Sequence, residues 1–293
     1  MKFLIIGASG FIGRNIFNYL NANNYEVYGT KNASRNDSFI KFDLLHDKIE
    51  NCIPNFLIDS KEQVYAVICS YISQIDRCLL EKEVSYIVNV EKMISLINDL
   101  ESLNFRIIFL STSAVFDGYD GYYTEEAPRN PICEYGKHKV LVEKFLEKKE
   151  SEHILNMRID KIVGDRHYEN HLFAQWYDSI KQNKAILCIK NQILSPTYVN
   201  DIARAIEISS ALKLSGTFHV ANSEYFTREE LANHFLKAIN NKTKIISLPL
   251  NEFNFADLRP LKTYLDSSKF IENTNFSFTS MRKVYLSFIN KVK

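Results

Sequence analysis

Tyr135-Gly136-Lys137-His138-Lys139 sets a phenol and an ammonium four residues apart, which makes them neighbours on one face of a helix. A cation beside a phenol stabilises the phenolate and lowers its pKa towards working pH, suiting the group to proton transfer. Far upstream, Gly7-Ala8-Ser9-Gly10-Phe11-Ile12-Gly13 follows an apolar run. Tight turning, close backbone approach to a pyrophosphate and helix–sheet packing each require a residue without a side chain. Either motif alone is weak, since Tyr-x-x-x-Lys falls by chance on many surface helices and a glycine triplet is often only a turn. Together, in this order, they point to a nicotinamide-dependent enzyme that moves hydride to or from a carbonyl.

The elements that must position these groups are legible as alternation. Apolar runs at 2–6, 25–30, 63–69 and 106–111 have strand length and β-branched content. Helical patterns fall between them at 11–21, 84–103 and 135–149. Short turns between alternating strands and helices imply βαβ units, so the expected fold is α/β, a doubly wound parallel sheet of Rossmann type. The second half is less regular. It offers a strand at 153–158, helices at 168–183, 201–212, 228–240 and 279–291, and short strands at 216–221 and 243–248. We expect a dinucleotide-binding domain over 1–160 and a smaller mixed substrate lobe over 161–293, with 195–222 returning to the larger body.

Composition narrows the classes. The chain has 293 residues, 46% of them hydrophobic and 24% charged, with a net charge of +1. That balance gives no whole-molecule field for nucleic acid or a membrane surface. Cys52, Cys69, Cys78, Cys133 and Cys188 are dispersed, which fits a reducing, cytoplasmic setting. His167 and His171 have helical spacing but lack a suitably spaced carboxylate, so no metal is expected. A homodimer is compatible with these numbers.

At the end of the second strand an Asp or Glu would favour NAD. The chain there reads Tyr28-Gly29-Thr30-Lys31-Asn32-Ala33-Ser34-Arg35. Lys31 and Arg35 are available to a ribose phosphate, so NADPH is the expected cofactor and NADH the alternative. The bland reading is that both are solvated surface charges. Ser111-Thr112-Ser113 follows the strand that ends at Leu110, where a hydroxyl can donate to a carbonyl oxygen or merely cap the next turn.

These segments resemble the extended short-chain dehydrogenase/reductase superfamily over nearly the whole chain, and within it the dTDP-4-dehydrorhamnose reductase-like family. Beyond the glycine turn, the resemblance rests on Asp43-Leu44, Ile75-Asp76-Arg77-Cys78 and Asn89. It continues through Ser111-Thr112-Ser113-Ala114-Val115-Phe116-Asp117-Gly118, Pro131 and Tyr135 to Lys139, Pro196-Thr197 with Asp201, and Arg259-Pro260 with Leu265-Asp266 and Lys269. It implies a hydroxyl role for Thr112, an acid role for Tyr135, the cation for Lys139, and for Asn89 a hold on the active-site backbone or a relay water. Gly7, Ser9, Gly10, Phe11, Ile12, Gly13, Asp43, Leu44, Cys69, Ser70 and Tyr71 would line the cofactor. The implied reaction is NADPH-dependent reduction of the C4 ketone of a nucleotide-diphosphate deoxysugar.

There are departures from the family pattern. Ile159-Asp160-Lys161 stands where the family shows Thr-Ser-Trp. Ser113-Ala114 replaces the Asp-Glu pair of related dehydratases, which argues against water elimination. For the substrate diphosphate Arg259 is the preferred cation, with Lys161 second; the bland alternative for Arg259 is an ion pair with Asp257 or Asp266. Trp176 is placed at the cleft, against a competing reading as lobe core with Phe173 and Tyr177. His138 is expected on a solvent-facing side of its helix. Two other functions stay open, an NAD-dependent nucleotide-sugar epimerase and a non-catalytic NADP-binding regulatory subunit.

Overall fold

Strands β1 (Lys2–Ile6), β2 (Glu26–Lys31), β3 (Ile40–Lys41), β4 (Val64–Ile68), β5 (Arg106–Thr112) and β6 (Ile154–Ile159) follow one another through the first half of the chain. Between them come α1 (Phe11–Ala22), α2 (Asn55–Ile58), α3 (Ile75–Leu80), α4 (Lys82–Tyr86), α5 (Lys92–Ser102) and α6 (Glu134–Lys149). Beyond β6 lie β7 (Ile162–Val163), α7 (Leu172–Lys181), β8 (Ile186–Ile189), β9 (Ile193–Leu194), β10 (Thr197–Tyr198), α8 (Val199–Ala211) and β11 (Gly216–His219). The chain finishes with β12 (Phe226–Thr227), α9 (Arg228–Ala238), β13 (Ile245–Leu248), α10 (Ser268–Thr274) and α11 (Met281–Val292). The structure is a computed structural model and describes residues 1–34 and 38–292.

Seven strands form one sheet in the order β11-β6-β5-β4-β1-β2-β3, and every pairing in it is parallel. Such a sheet is covered on both faces, so its strands are apolar throughout rather than alternating. Val64 to Ile68 are all buried. Phe3 and Ile5 pack on one side with Ile16, Leu20, Ile202 and Ile206 of α1 and α8. Leu4 and Ile6 pack on the other with Leu96, Leu100, Val142 and Leu146 of α5 and α6. β11 pairs with β6, so the segment after α8 lies in the main sheet. A separate apolar cluster of Phe173, Trp176, Leu231, Phe235, Val284 and Phe288 joins α7, α9 and α11.

The connection order reverses between β1 and β4, and ligands of open α/β sheets bind beyond the carboxyl ends of strands at such a point. One expectation needs correction here. The single helix over 84–103 is instead α4, a π-helical turn at Ile87–Glu91 and α5. Hydrophobic spacing does not register the one extra residue that a π turn accommodates. Among the described residues no helix is long and apolar enough to cross a membrane.

Candidate active site

The glycine turn after β1 is built by close backbone contacts. Gly10 N–H donates to Gly7 O at 3.1 Å, and Gly7 N–H donates to Thr30 Oγ1 at 3.0 Å. A Cβ at Gly13 would collide with the Gly7 carbonyl. α1 follows with Gly10 as its N-cap residue, no side-chain cap and no acidic residue in its first turn. Its leading N–H groups therefore point outward as an anion site. Ser9 sits inside this turn, while Phe11 and Ile12 reach the cleft wall. Cys69 N–H donates to Ile6 O at 2.8 Å, and Ser70 lies directly against Gly7. Lys31 ends β2. Asp43 uses Oδ1 to accept Leu45 N–H at 3.0 Å, and Leu44 is buried in the core. Arg35 lies outside the described residues.

Thr112, at the end of β5, accepts Ala114 N–H at 3.2 Å and so starts the turn that follows. α6 packs onto that turn through Gly136, where any Cβ would strike the Ala114 carbonyl. This approach brings Tyr135 into one cleft lining with Thr112 and Tyr71, its ring centre 6.1 Å from that of Tyr71. Burial is the main reason that the Tyr135 pKa rises well above that of a free phenol, with Tyr71 adding to it and Thr112 opposing.

Lys139 is buried. Its Nζ donates to Leu110 O at 2.8 Å and lies 3.4 Å from the centre of the Tyr71 ring, against 6.0 Å for the Tyr135 ring. Burial lowers its pKa to about 7, opposed chiefly by Glu143. The Lys139 cation is seated on the Tyr71 ring and lies farther from the ring of Tyr135.

The π turn directs Asn89 inward. Its Oδ1 accepts Ile72 N–H at 2.8 Å, and its Nδ2 donates to Ile72 O at 2.9 Å. Both hydrogen-bonding groups of one residue in the loop after β4 are clamped this way. The same Nδ2 lies 3.5 Å from His138 Nδ1. His138 is therefore buried, not solvent-facing as its helical position suggested. The packing of α3 and the π turn against α6 covers that face.

A cleft of about 510 Å³ opens over these groups. Thr112, Ser113, Tyr135 and Tyr71 line it together with Asp160, Lys161, Arg228 and Arg259. Asp160 is held by Ser113 Oγ–H at 2.7 Å and Ser195 N–H at 2.6 Å. Burial nevertheless pushes its carboxyl up to about 6. Lys161 is exposed to the cleft interior. Desolvation by the walls, then repulsion from Arg228 and Arg259, lowers its ammonium to about 8.

Arg259 pairs with Asp76 at 2.8 Å, not with Asp257 or Asp266 as weighed from the sequence. Asp76 also accepts the backbone N–H groups of Ala256 and Asp257, and Asp257 accepts Glu134 N–H at the start of α6. The Ile-Asp-Arg-Cys and Arg-Pro motifs, distant in sequence, are thereby locked together beside Tyr135. Trp176 is corrected. It is buried against Phe173 and Phe235 as lobe core, because α7 presents its apolar stripe to α9 rather than to the cleft. His171 accepts Ala174 N–H as the cap of α7 and stacks on Phe11 at 5.3 Å.

Arg228 was missed by sequence reasoning. Among the described residues its guanidinium has no carboxylate partner. NH1 donates to Gln192 Oε1 at 2.9 Å, while Nε is buried without a partner. One signal was present. Arg228 follows the capping-box residue Thr227, and a cation in a helix's first turn opposes the macrodipole. A second concavity, bordered by Glu147, Glu150, Glu152 and Thr217, lies at the opposite strand ends and contains none of this chemistry.

The floor beneath Thr112 is a buried ionic platform. Arg158 donates to Glu143 through Nε and, at 2.8 Å, through NH2. Ser111 and Arg129 donate to the same carboxylate. Desolvation pushes Glu143 upward, but Arg158 with Ser111 and Arg129 outweighs it and holds the carboxyl below its ordinary value.

Comparison with known proteins places these features in context. A family model described as the RmlD substrate binding domain matches residues 1–293. The dTDP-4-dehydrorhamnose reductase of Aggregatibacter actinomycetemcomitans is 32% identical over 208 residues, 70% of this chain and 66% of that one. Methionine adenosyltransferase 2 subunit beta of Bos taurus is 25% identical over 276 residues, 92% of this chain and 81% of that one. The crystal structure of a dTDP-4-dehydrorhamnose reductase from Bacillus anthracis in complex with NADP superposes with a TM-score of 0.85 at 22% identity, covering 99% of this chain and 100% of that one.

Proposed function

The chain belongs to the RmlD substrate binding domain family, and from that premise we propose that it is an NADPH-dependent reductase of the C4 ketone of a nucleotide-activated 4-keto-6-deoxysugar. The observation that carries this reading is the convergence on one cleft of the Tyr135 and Thr112 hydroxyls with three cations, Lys161, Arg228 and Arg259. The family resemblance, and the named activity of the Aggregatibacter relative, support the same chemistry.

The glycine turn fits a dinucleotide. Its N–H groups and the start of α1 would hold the pyrophosphate, Asp43 and Leu44 the adenine side, Lys31 and Arg35 the ribose phosphate, and Cys69, Ser70 and Tyr71 the nicotinamide half. When bound, NADPH supplies the hydride. The chain handles the proton. Tyr135 donates its phenolic proton to the ketone oxygen while Thr112 donates a hydrogen bond to the same oxygen as negative charge develops there. Asn89 keeps the loop carrying Tyr71 in register through Ile72. Lys139, beneath the phenols, stabilises the phenolate that remains.

The test is loss of NADPH absorbance with a panel of dTDP-, GDP-, UDP- and CDP-linked 4-keto-6-deoxysugars. No oxidation with any of them rules out the reductase reading. The likeness to the bovine subunit beta gives the regulatory alternative its weight, and NADPH binding without turnover across that panel would favour it. An epimerase would instead retain bound NAD through purification.

Two further outcomes are expected. Replacing Lys31 and Arg35 together with Ala should weaken NADPH far more than NADH, because only NADPH carries a ribose phosphate. Equal losses for both would remove these residues from that role. Replacing Arg228 or Arg259 with Ala should raise the substrate KM roughly tenfold or more and leave NADPH affinity unchanged, since a guanidinium bridges two phosphate oxygens. Arg228→Ala should have the larger effect, because Arg259 already has Asp76 as a partner.

A further inference from the structure

We propose that Asp76 is a positioning residue for the sugar nucleotide, pinning residues 255–260 so that the Arg259 guanidinium is held ready for the diphosphate. The proposal deepens the reading of this cleft as a sugar-nucleotide site and rests on it. Asp76 belongs to α3, whose Ile75 lines the cleft while Asp76 does not. Residues 253–260 form neither helix nor strand, so no repeating backbone bonds fix their path. Asp76 supplies bonds in their place. Its Oδ1 accepts the N–H groups of Ala256 at 2.9 Å and of Asp257 at 3.0 Å. Its Oδ2 pairs with Arg259 NH2 at 2.8 Å. One carboxylate thus holds both the backbone and the guanidinium of the same short segment.

Two more contacts complete the hold on Arg259. NH1 donates to Asp257 O at 3.1 Å, and the guanidinium carbon lies 4.4 Å from the centre of the Phe255 ring, within cation–π range. Among the described residues these contacts leave Nε–H and one NH2 hydrogen of the five guanidinium donors for an anion in the cleft. A guanidinium fixed beforehand loses less freedom when a phosphate arrives. Phe255 and Pro260, on either side of it in sequence, line the same cleft. The segment is also tied to the helix of the acid, because Asp257 Oδ2 accepts the N–H of Glu134, the residue before Tyr135, at 2.8 Å. Burial pushes the Asp76 carboxyl upward, but the Asp257 N–H and Arg259 outweigh it and hold the group below its ordinary value. The latch is therefore charged at neutral pH.

Asp76→Asn tests this, because an amide oxygen can still accept the two backbone N–H groups while the charge facing Arg259 is lost. In the full-length protein loaded with NADPH, calorimetric titration with dTDP, GDP, UDP and CDP identifies the diphosphate that wild type binds most tightly. Asp76→Asn should weaken that nucleotide by about fivefold and leave NADPH affinity unchanged. In an Arg259→Ala background the same change should add nothing, since no guanidinium remains to be oriented. In turnover the KM for the sugar nucleotide should rise by a similar factor while kcat stays within about twofold. Unchanged or tighter nucleotide binding in Asp76→Asn overturns the proposal, because Asp76 would then only compete with phosphate for Arg259. Equal weakening with and without Arg259 overturns it too, as the mark of a merely structural carboxylate, and so does a wild type that binds none of the four diphosphates. The titration needs no ketone, so weakened binding in a protein that reduces no sugar sustains the positioning role and sinks the reductase reading separately.

Discussion

Tyr135→Phe is expected to lower turnover of the keto sugar by roughly 10²–10⁴-fold, the range for removing a positioned proton donor, and to leave NADPH affinity nearly unchanged. The phenol acts in the transition state and adds little to ground-state cofactor binding. Its surroundings sharpen the expectation. Tyr135 is buried, and the hydroxyl-bearing side chains that share its cleft lining include Tyr71 and Thr112. The Thr112 alcohol is a far weaker acid than a phenol, and burial raises the Tyr71 phenol above its ordinary value, so neither is expected to replace Tyr135 at neutral pH. Stopped NADPH oxidation together with unchanged cofactor titration is the measurement. Activity within a few-fold of wild type would remove Tyr135 from the acid role.

Glu143→Ala should produce the largest loss of stability. Glu143 is fully buried and receives Arg158, Arg129 and Ser111. Deleting it leaves the Arg158 guanidinium, itself 1% exposed, without its carboxylate. Breaking a buried pair from one side costs about 3–5 kcal/mol, and for a chain of this size the thermal midpoint should fall by roughly ten degrees. The pH dependence carries its own sign. The folded pKa of Glu143 lies below its ordinary 4.5, so the stabilisation is complete above the unfolded value and is lost as pH falls through the folded one. Denaturant midpoints measured down through pH 4 should therefore decline less steeply in the variant than in wild type. A loss below 1 kcal/mol would mean that Arg129 and Ser111 do not depend on this carboxylate and that Arg158 finds another anion.

The link between this platform and the chemistry is mechanical. Ser111 precedes Thr112 at the end of β5, and Arg158 lies opposite Ser111 in the β5–β6 register. Loss of Glu143 should loosen the strand end that aims the Thr112 hydroxyl. Lys139 should respond as well, because Glu143 is the main group opposing the burial that lowers its pKa.

The sequence alone determined β1, the glycine turn and α1, because strand length, a turn free of side chains and helical periodicity are all local properties. It determined that Tyr135 and Lys139 share a helix face, since that follows from the helical repeat. It placed Thr112 at a strand end, where open α/β sheets work. Tertiary structure decided which partners those groups have. Asn89 reaches Ile72 because a π turn rotates it inward, and hydrophobic spacing carries no signature of that turn. His138 is buried because α3 and the π turn pack on the side of α6 that local pattern leaves open. Arg259 meets Asp76 and Lys139 meets the Tyr71 ring across long sequence separations. Trp176 turns to the lobe core since an apolar stripe states that it will be covered, not by what. Periodicity encodes burial, whereas the identity of a long-range partner depends on the register and crossing of elements that meet only in the folded chain.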